Sequence, residues 1–238
     1  MAIRKAPAPA PVVAPPSWTG WYVGVHAGAN WQTVDAGYNT CTTSQCNSHS
    51  DDGAFPTKAF DAGFIGGGQL GYNWQFAPTW VLGIEGTISG LTGKATANSF
   101  HNKGTALSGE ITWLATLRGR VGWLMDPDTM LYGTGGVAWG GVKNSVNAFG
   151  LGAGAEGVCG ATNCAFTTKS VSSTRTGWVA GGGIEHMLGG AWSHWTVGLE
   201  VLYVDLGNSI GHNAAGTAKT SFFRNQAAIG QLKLNYKF

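Results

Sequence analysis

The feature that most constrains this chain is an alternation of apolar and polar residues with a period of two, returning from Gly20 to the C-terminus. In Gly20 to Asn30, Trp21, Val23, Val25, Ala27 and Ala29 share one face, and Tyr22, Gly24, His26, Gly28 and Asn30 the other. Successive side chains of an extended backbone point to opposite sides, so this is a strand with two unlike faces. The pattern recurs in Phe64 to Phe76, where Leu70, Tyr72, Trp74 and Phe76 oppose Gln69, Gly71, Asn73 and Gln75, and in Trp80 to Ile88. From Ile111 to Trp123, Ile111, Trp113, Ala115, Leu117, Val121 and Trp123 oppose Glu110, Thr112, Thr116, Arg118 and Arg120. Met130 to Gly140, Gly177 to Leu188, Trp195 to Leu206 and Phe222 to Phe238 complete about eight segments of roughly ten residues.

Composition narrows what such strands can build. The 238 residues are 43% hydrophobic and 11% charged and include 39 Gly and 11 Trp. A soluble domain carries about 25% charge and roughly 7% Gly. No run of about 18 apolar residues offers a membrane helix. The net charge of +2, with no basic run beyond Arg4-Lys5, excludes an electrostatic nucleic-acid binder. Ala6 to Pro16 holds most of the 8 prolines and reads as an extended tether. No secretory signal is legible before it. The organisation is therefore a Pro-rich tail over residues 1–17 and one barrel over 18–238.

Connections alternate in length. Ala77 to Thr79, Met125 to Thr129 and Gly189 to His194 are short, while Gln32 to Ala62, Gly90 to Gly109, Gly141 to Thr176 and Gly207 to Ser221 are long. Short turns at one end and long loops at the other predict an all-β, eight-stranded antiparallel up-and-down barrel crossing the outer membrane of a Gram-negative cell, with both termini periplasmic. Trp21, Trp74, Phe76, Trp80, Trp123, Trp195, Tyr236 and Phe238 gather at the short-turn end as a single aromatic girdle. A soluble barrel would carry its charge outside; here the charge shares the polar face, and the apolar face is rich in Trp, Leu and Val.

The candidate site is that polar face. Glu85, Glu110, Arg118, Arg120, Glu185, Glu200 and Lys233 are inward by phase. An eight-stranded barrel is just wide enough for side chains to fill, so opposite charges predict a salt-bridged plug, with a narrow ion or water path as the alternative. Cys41 and Cys46 repeat the spacing of Cys159 and Cys164. Outside the inner membrane such pairs predict disulfides; three connectivities exist, and two local bridges fit the spacing better than the others or a zinc site. His26 faces inward, and His49 and Asp51-Asp52 sit in the first loop; nothing fixes them into a nucleophile, base and acid, so no catalytic, cofactor or metal site is assigned. The Gly66-Gly67-Gly68 and Gly181-Gly182-Gly183 runs sit inside strand patterns, where glycine permits curvature and not phosphate binding.

Specific motifs carry a resemblance: Trp18-Thr19-Gly20-Trp21-Tyr22-Val23-Gly24, Gly66 to Asn73, Gly83-Ile84-Glu85-Gly86, Arg118-Gly119-Arg120-Val121-Gly122, Tyr132 to Ala138, Gly177 to Glu185 and Leu234 to Phe238. The chain from Trp18 to Phe238 resembles the small outer-membrane immunogenic barrel proteins of alphaproteobacteria, porin-like surface antigens. The resemblance implies an eight-stranded barrel with surface or structural roles. It also implies insertion by the barrel assembly machinery, which reads a terminal aromatic strand such as the one holding Tyr236 and Phe238. The paired cysteines and the Pro-rich lead depart from the family pattern. The expected partners are outer-membrane lipid and lipopolysaccharide, the assembly machinery and a surface or periplasmic protein. The expected role is structural, with a narrow channel second and a lipid-modifying enzyme third.

Overall fold

A computed structural model describes residues 17–42, 45–47, 59–98, 105–148, 167–212 and 219–238. The Pro-rich tail before Ser17 lies outside them. Among the described residues, ten strands form one antiparallel sheet: β1 (Gly20–Thr42), β2 (Gln45–Asn47), β3 (Ala59–Ala77), β4 (Trp80–Leu91), β5 (Ala95–Asn98), β6 (Thr105–Asp126), β7 (Thr129–Ala148), β8 (Thr167–Met187), β9 (Trp195–His212) and β10 (Lys219–Lys237). Pairing of β10 with β1, from Tyr22 opposite Lys237 to Thr40 opposite Lys219, closes the sheet into a barrel. Closure leaves no edge along which a barrel strand could pair with another chain. Eight strands make the wall. β2 is a short hairpin return on β1, and β5 continues the line of β4 along β6 past a bend at Gly93. No helix among the described residues is long and apolar enough to cross a membrane.

Most wall strands run well past the expected roughly ten residues, because segments read as long loops continue the ladder. β1 runs 23 residues and β6 22. At about 3.3 Å per residue and a tilt near 40°, a 20-residue strand rises about 50 Å, twice the roughly 25 Å apolar band of an outer-membrane barrel. The surplus stands beyond the band at the end opposite the short turns.

A second aromatic girdle marks where the band ends. Trp31, Phe64, Trp113, Trp139, Trp178 and Tyr203 all face outward. They stand ten residues from the lower ring on β1, β3 and β6 and eight on β9. Those intervals rise roughly 20–25 Å, the height of the apolar band. Between the girdles none of the described outward residues is charged. The single girdle expected from the sequence is therefore one of two. In the lower ring, Trp21 packs edge-on to Tyr72 at 5.2 Å, and Trp195 to Tyr236 at 5.2 Å.

The strand read with least regular phase, β7, turns Met130, Tyr132 and Ala138 inward and Leu131 and Val137 outward. On β6 the register slips between Ile111 and Trp113, so one extra residue sits against β7. A bulge reverses the in-out alternation on one side of it. Ile111, expected on the lipid face, is therefore buried in the lumen, and Glu110, expected in the lumen, leaves it.

Candidate functional site

The inward face is layered. Nearest the short turns, Val81, Leu124, Met130 and Met187 pack with Trp18 and Tyr132. Toward the far end, Ile65, Leu91, Ile111, Leu114, Val142 and Leu206 belong to a larger apolar cluster. Between these layers lie three acids and three bases. Strand phase aims Glu85 of β4, Arg118 and Arg120 of β6, Glu185 of β8, Glu200 of β9 and Lys233 of β10 at the barrel axis, where each is at most 3% exposed.

The three acids and three bases form one connected set. Glu85 binds Lys233 through both oxygens at 2.8 and 2.7 Å and also accepts from Arg118. Arg118 reaches Glu200 at 3.1 Å, and Arg120 reaches Glu185 at 3.0 Å. Lys233 stands 3.6 Å from Glu200. The formal charges cancel, which a medium of low dielectric demands: an unpaired charge there costs several kcal/mol.

Neutral donors fill the remaining lone pairs. The Tyr22 hydroxyl donates to Glu85 at 2.7 Å and that of Tyr132 to Glu200 at 3.0 Å. Thr196 and Asn235 donate to Glu185 at 2.5 and 2.9 Å, and Gln231 to Glu200 at 2.7 Å. Arg120 donates through Nε to Asn73 at 2.8 Å and stacks between the rings of Tyr22 (4.7 Å) and Tyr132 (5.3 Å). The stacking compensates a guanidinium whose Nη2 has no hydrogen-bond partner among the described residues. Glycine makes the room: a Cβ on Gly83 would lie 2.6 Å from Asn73 Oδ1 and 2.9 Å from Arg120 Cγ.

The residues 6–238 match the family model described as outer membrane protein beta-barrel domain. The chain belongs to this family. It is an outer-membrane protein, as the lipid-facing wall already required. It is similar to the 31 kDa outer-membrane immunogenic protein of Brucella melitensis biotype 1, at 34% identity over 239 residues, covering 96% of this chain and 88% of the relative. It is also similar to the 22 kDa outer membrane protein of Rhizobium leguminosarum bv. viciae, at 27% identity over 93% of this chain and 80% of the relative. Among solved structures it is similar to OprG of Pseudomonas aeruginosa, with 11% identity, 92% of this chain and 97% of that chain covered, and a TM-score of 0.46.

Other expected site residues of this outer-membrane barrel protein fall as follows. Glu110, half-buried, stands opposite Lys143 and makes no ion pair with the lumen set among the described residues. His26 is buried, with Nδ1 2.5 Å from Gln69 Oε1 and Nε2 2.8 Å from Ser89 Oγ. Because the amide oxygen can only accept, Nδ1 carries the proton and Nε2 accepts from Ser89. A serine, an imidazole and an orienting side chain thus line up, but the third is an amide, which has no charge to stabilise an imidazolium. Cys41 and Cys46 are direct cross-strand partners on β1 and β2. Cys159, Cys164, His49, Asp51 and Asp52 lie outside the described residues. Tyr236 and Phe238 contact edge to face at 5.4 Å on the lipid side of the last strand. Periodicity already put Tyr22, Asn73, Gln231 and Asn235 on the polar face; Tyr132 and the far apolar layer were missed. The signal for that layer is a run apolar on both faces, as in Val201-Leu202-Tyr203-Val204.

Proposed function

We propose that this barrel is a structural and surface protein of the outer membrane whose lumen is a sealed stiffening core and whose tall outer end presents the chain outside the cell. The observation that carries this reading is the arrangement of the lumen: a charge-balanced, hydrogen-bonded layer closed on both sides by apolar side chains. A conduction path needs a continuous wetted line of polar groups, and the apolar layers interrupt it. The surface role draws support from the strands that rise beyond the upper girdle, and from the word immunogenic in the name of the Brucella relative.

The backbone register supports a Cys41–Cys46 bridge stapling the first extracellular hairpin, since directly opposed residues of an antiparallel pair have Cα atoms about 4.5–5.5 Å apart, within reach of a disulfide. Lipopolysaccharide is the lipid that meets the upper girdle, and Tyr236 and Phe238 are the residues offered to the assembly machinery. The direct test is genetic. Deleting the gene should make cells sensitive to detergents and large antibiotics, and the wild-type chain supplied in trans should restore resistance. An unchanged permeability barrier after deletion would refute the structural role.

A further inference from the structure

The wall of the barrel begins at Gly20, whose φ of 141° lies where glycine alone is at ease. Residues 17–19 do not continue the wall; they turn across the short-turn mouth, and no ladder pairing includes them. Trp18 is wholly buried there, packed with Val81, Leu124, Met130 and Met187, one residue from each of β4, β6, β7 and β8. Polar contacts fasten it from several sides. Its indole N–H donates to the Pro127 carbonyl of the β6–β7 turn at 3.0 Å, and its backbone N–H to Gln75 Oε1 at 3.1 Å. The Gln75 backbone N–H donates to Thr19 Oγ1 at 3.0 Å. The Lys237 ammonium donates to the Ser17 carbonyl and lies 5.6 Å from the Trp18 ring.

The lower apolar layer thus differs in kind from the upper one. Every residue of the upper cluster is part of a wall strand, but the centre of the lower one is a side chain on a segment outside the sheet. That segment can leave without breaking one barrel ladder bond. Tyr132 belongs to the same cluster, and Arg120 of the ion-pair layer lies over its ring and that of Tyr22. We propose that residues 17–20 are a hinged lid on the lumen. With the lid closed, Trp18 keeps water from the ion-pair layer; with it swung out at Gly20, water enters the short-turn half of the lumen as far as the upper apolar cluster. This device stands on the geometry of the mouth, whether or not the barrel's role is structural.

The test is thiol accessibility in the full chain. Val81→Cys is placed in a background with the four native cysteines changed to serine. The protein is refolded, its barrel is verified by heat-modifiable electrophoretic migration, and it is exposed to a charged methanethiosulfonate reagent. A buried thiol is modified in proportion to the population of the open form. With the lid intact, labelling should be slow. Trp18→Ala should accelerate it by more than an order of magnitude, Gln75→Ala by less, and Trp18→Phe should restore most of the protection. Equal rates in all four chains, whether slow or fast, would overturn the lid. So would loss of folded migration in Trp18→Ala, because a lid is dispensable to the barrel and a wall residue is not.

Discussion

Glu85 stands within ion-pair reach of Arg118, Arg120 and Lys233 and accepts from the Tyr22 hydroxyl as well, so its carboxylate is the node on which the lumen layer turns. Glu85→Gln keeps the shape and removes the charge, leaving a surplus cation inside the barrel. Breaking one side of a buried pair costs about 3–5 kcal/mol. Denaturant unfolding of the refolded variant should show a loss of that size, with unchanged migration of the folded form. Tyr22→Phe removes a single donor to a charged acceptor that keeps its other partners, and should cost about 1.5–3 kcal/mol. At this scale the sequence was legible wherever alternation ran unbroken: Arg118, Arg120, Glu185, Glu200 and Lys233 are inward by simple parity. Glu110 was not, because one extra residue near Thr112 changes the parity beyond it. A bulge leaves little local trace in composition; here the trace is Ile111 and Leu114, two inward apolar residues three positions apart. Trp18 hid for a different reason. It precedes the first periodic segment, and no alternation says where it points.

Strand by strand, the outward face is graded by depth. Leu199 lies midway between Trp195 and Tyr203 on β9, in the apolar band. Ser172 is exposed on β8 beyond Trp178. Leu199→Arg should destabilise the barrel by about 2–4 kcal/mol, and Ser172→Arg by about 0–1, because a charge costs most at the midplane and little at the interface. Equal losses at the two positions, measured by unfolding in lipid vesicles, would mean that the girdles do not bound the band. The first hairpin carries a separate expectation. Under non-reducing conditions Cys41 and Cys46 should resist alkylation and should take up two labels after reduction, read by peptide mass. Turns and strand order were legible from Pro78-Thr79 and Pro127-Asp128, which break the alternation abruptly. Strand length was not. Beyond the upper girdle the outside of the wall meets water and not lipid, so the apolar face that made the lower strands visible disappears while the ladder continues.

As a whole, the molecule is a tall barrel with its lower half in lipid and, among the described residues, a lumen filled through that half. Its charge is low because the wall needs none; six of its buried ionised groups form one balanced layer. That layer separates two apolar ones, of which the upper is built from the wall and the lower is completed by Trp18. Family membership fixes the location in the outer membrane, and the packing of the lumen is the basis of the proposed sealed, structural barrel. The measurement that tests this most directly is single-channel conductance of the refolded protein in planar bilayers, with Arg118→Ala and Arg120→Ala beside it. The sealed lumen predicts silent bilayers for the wild-type chain. Steady wild-type conductance that shifts in size or ion preference with either arginine would contradict it and make the charged layer a selectivity filter.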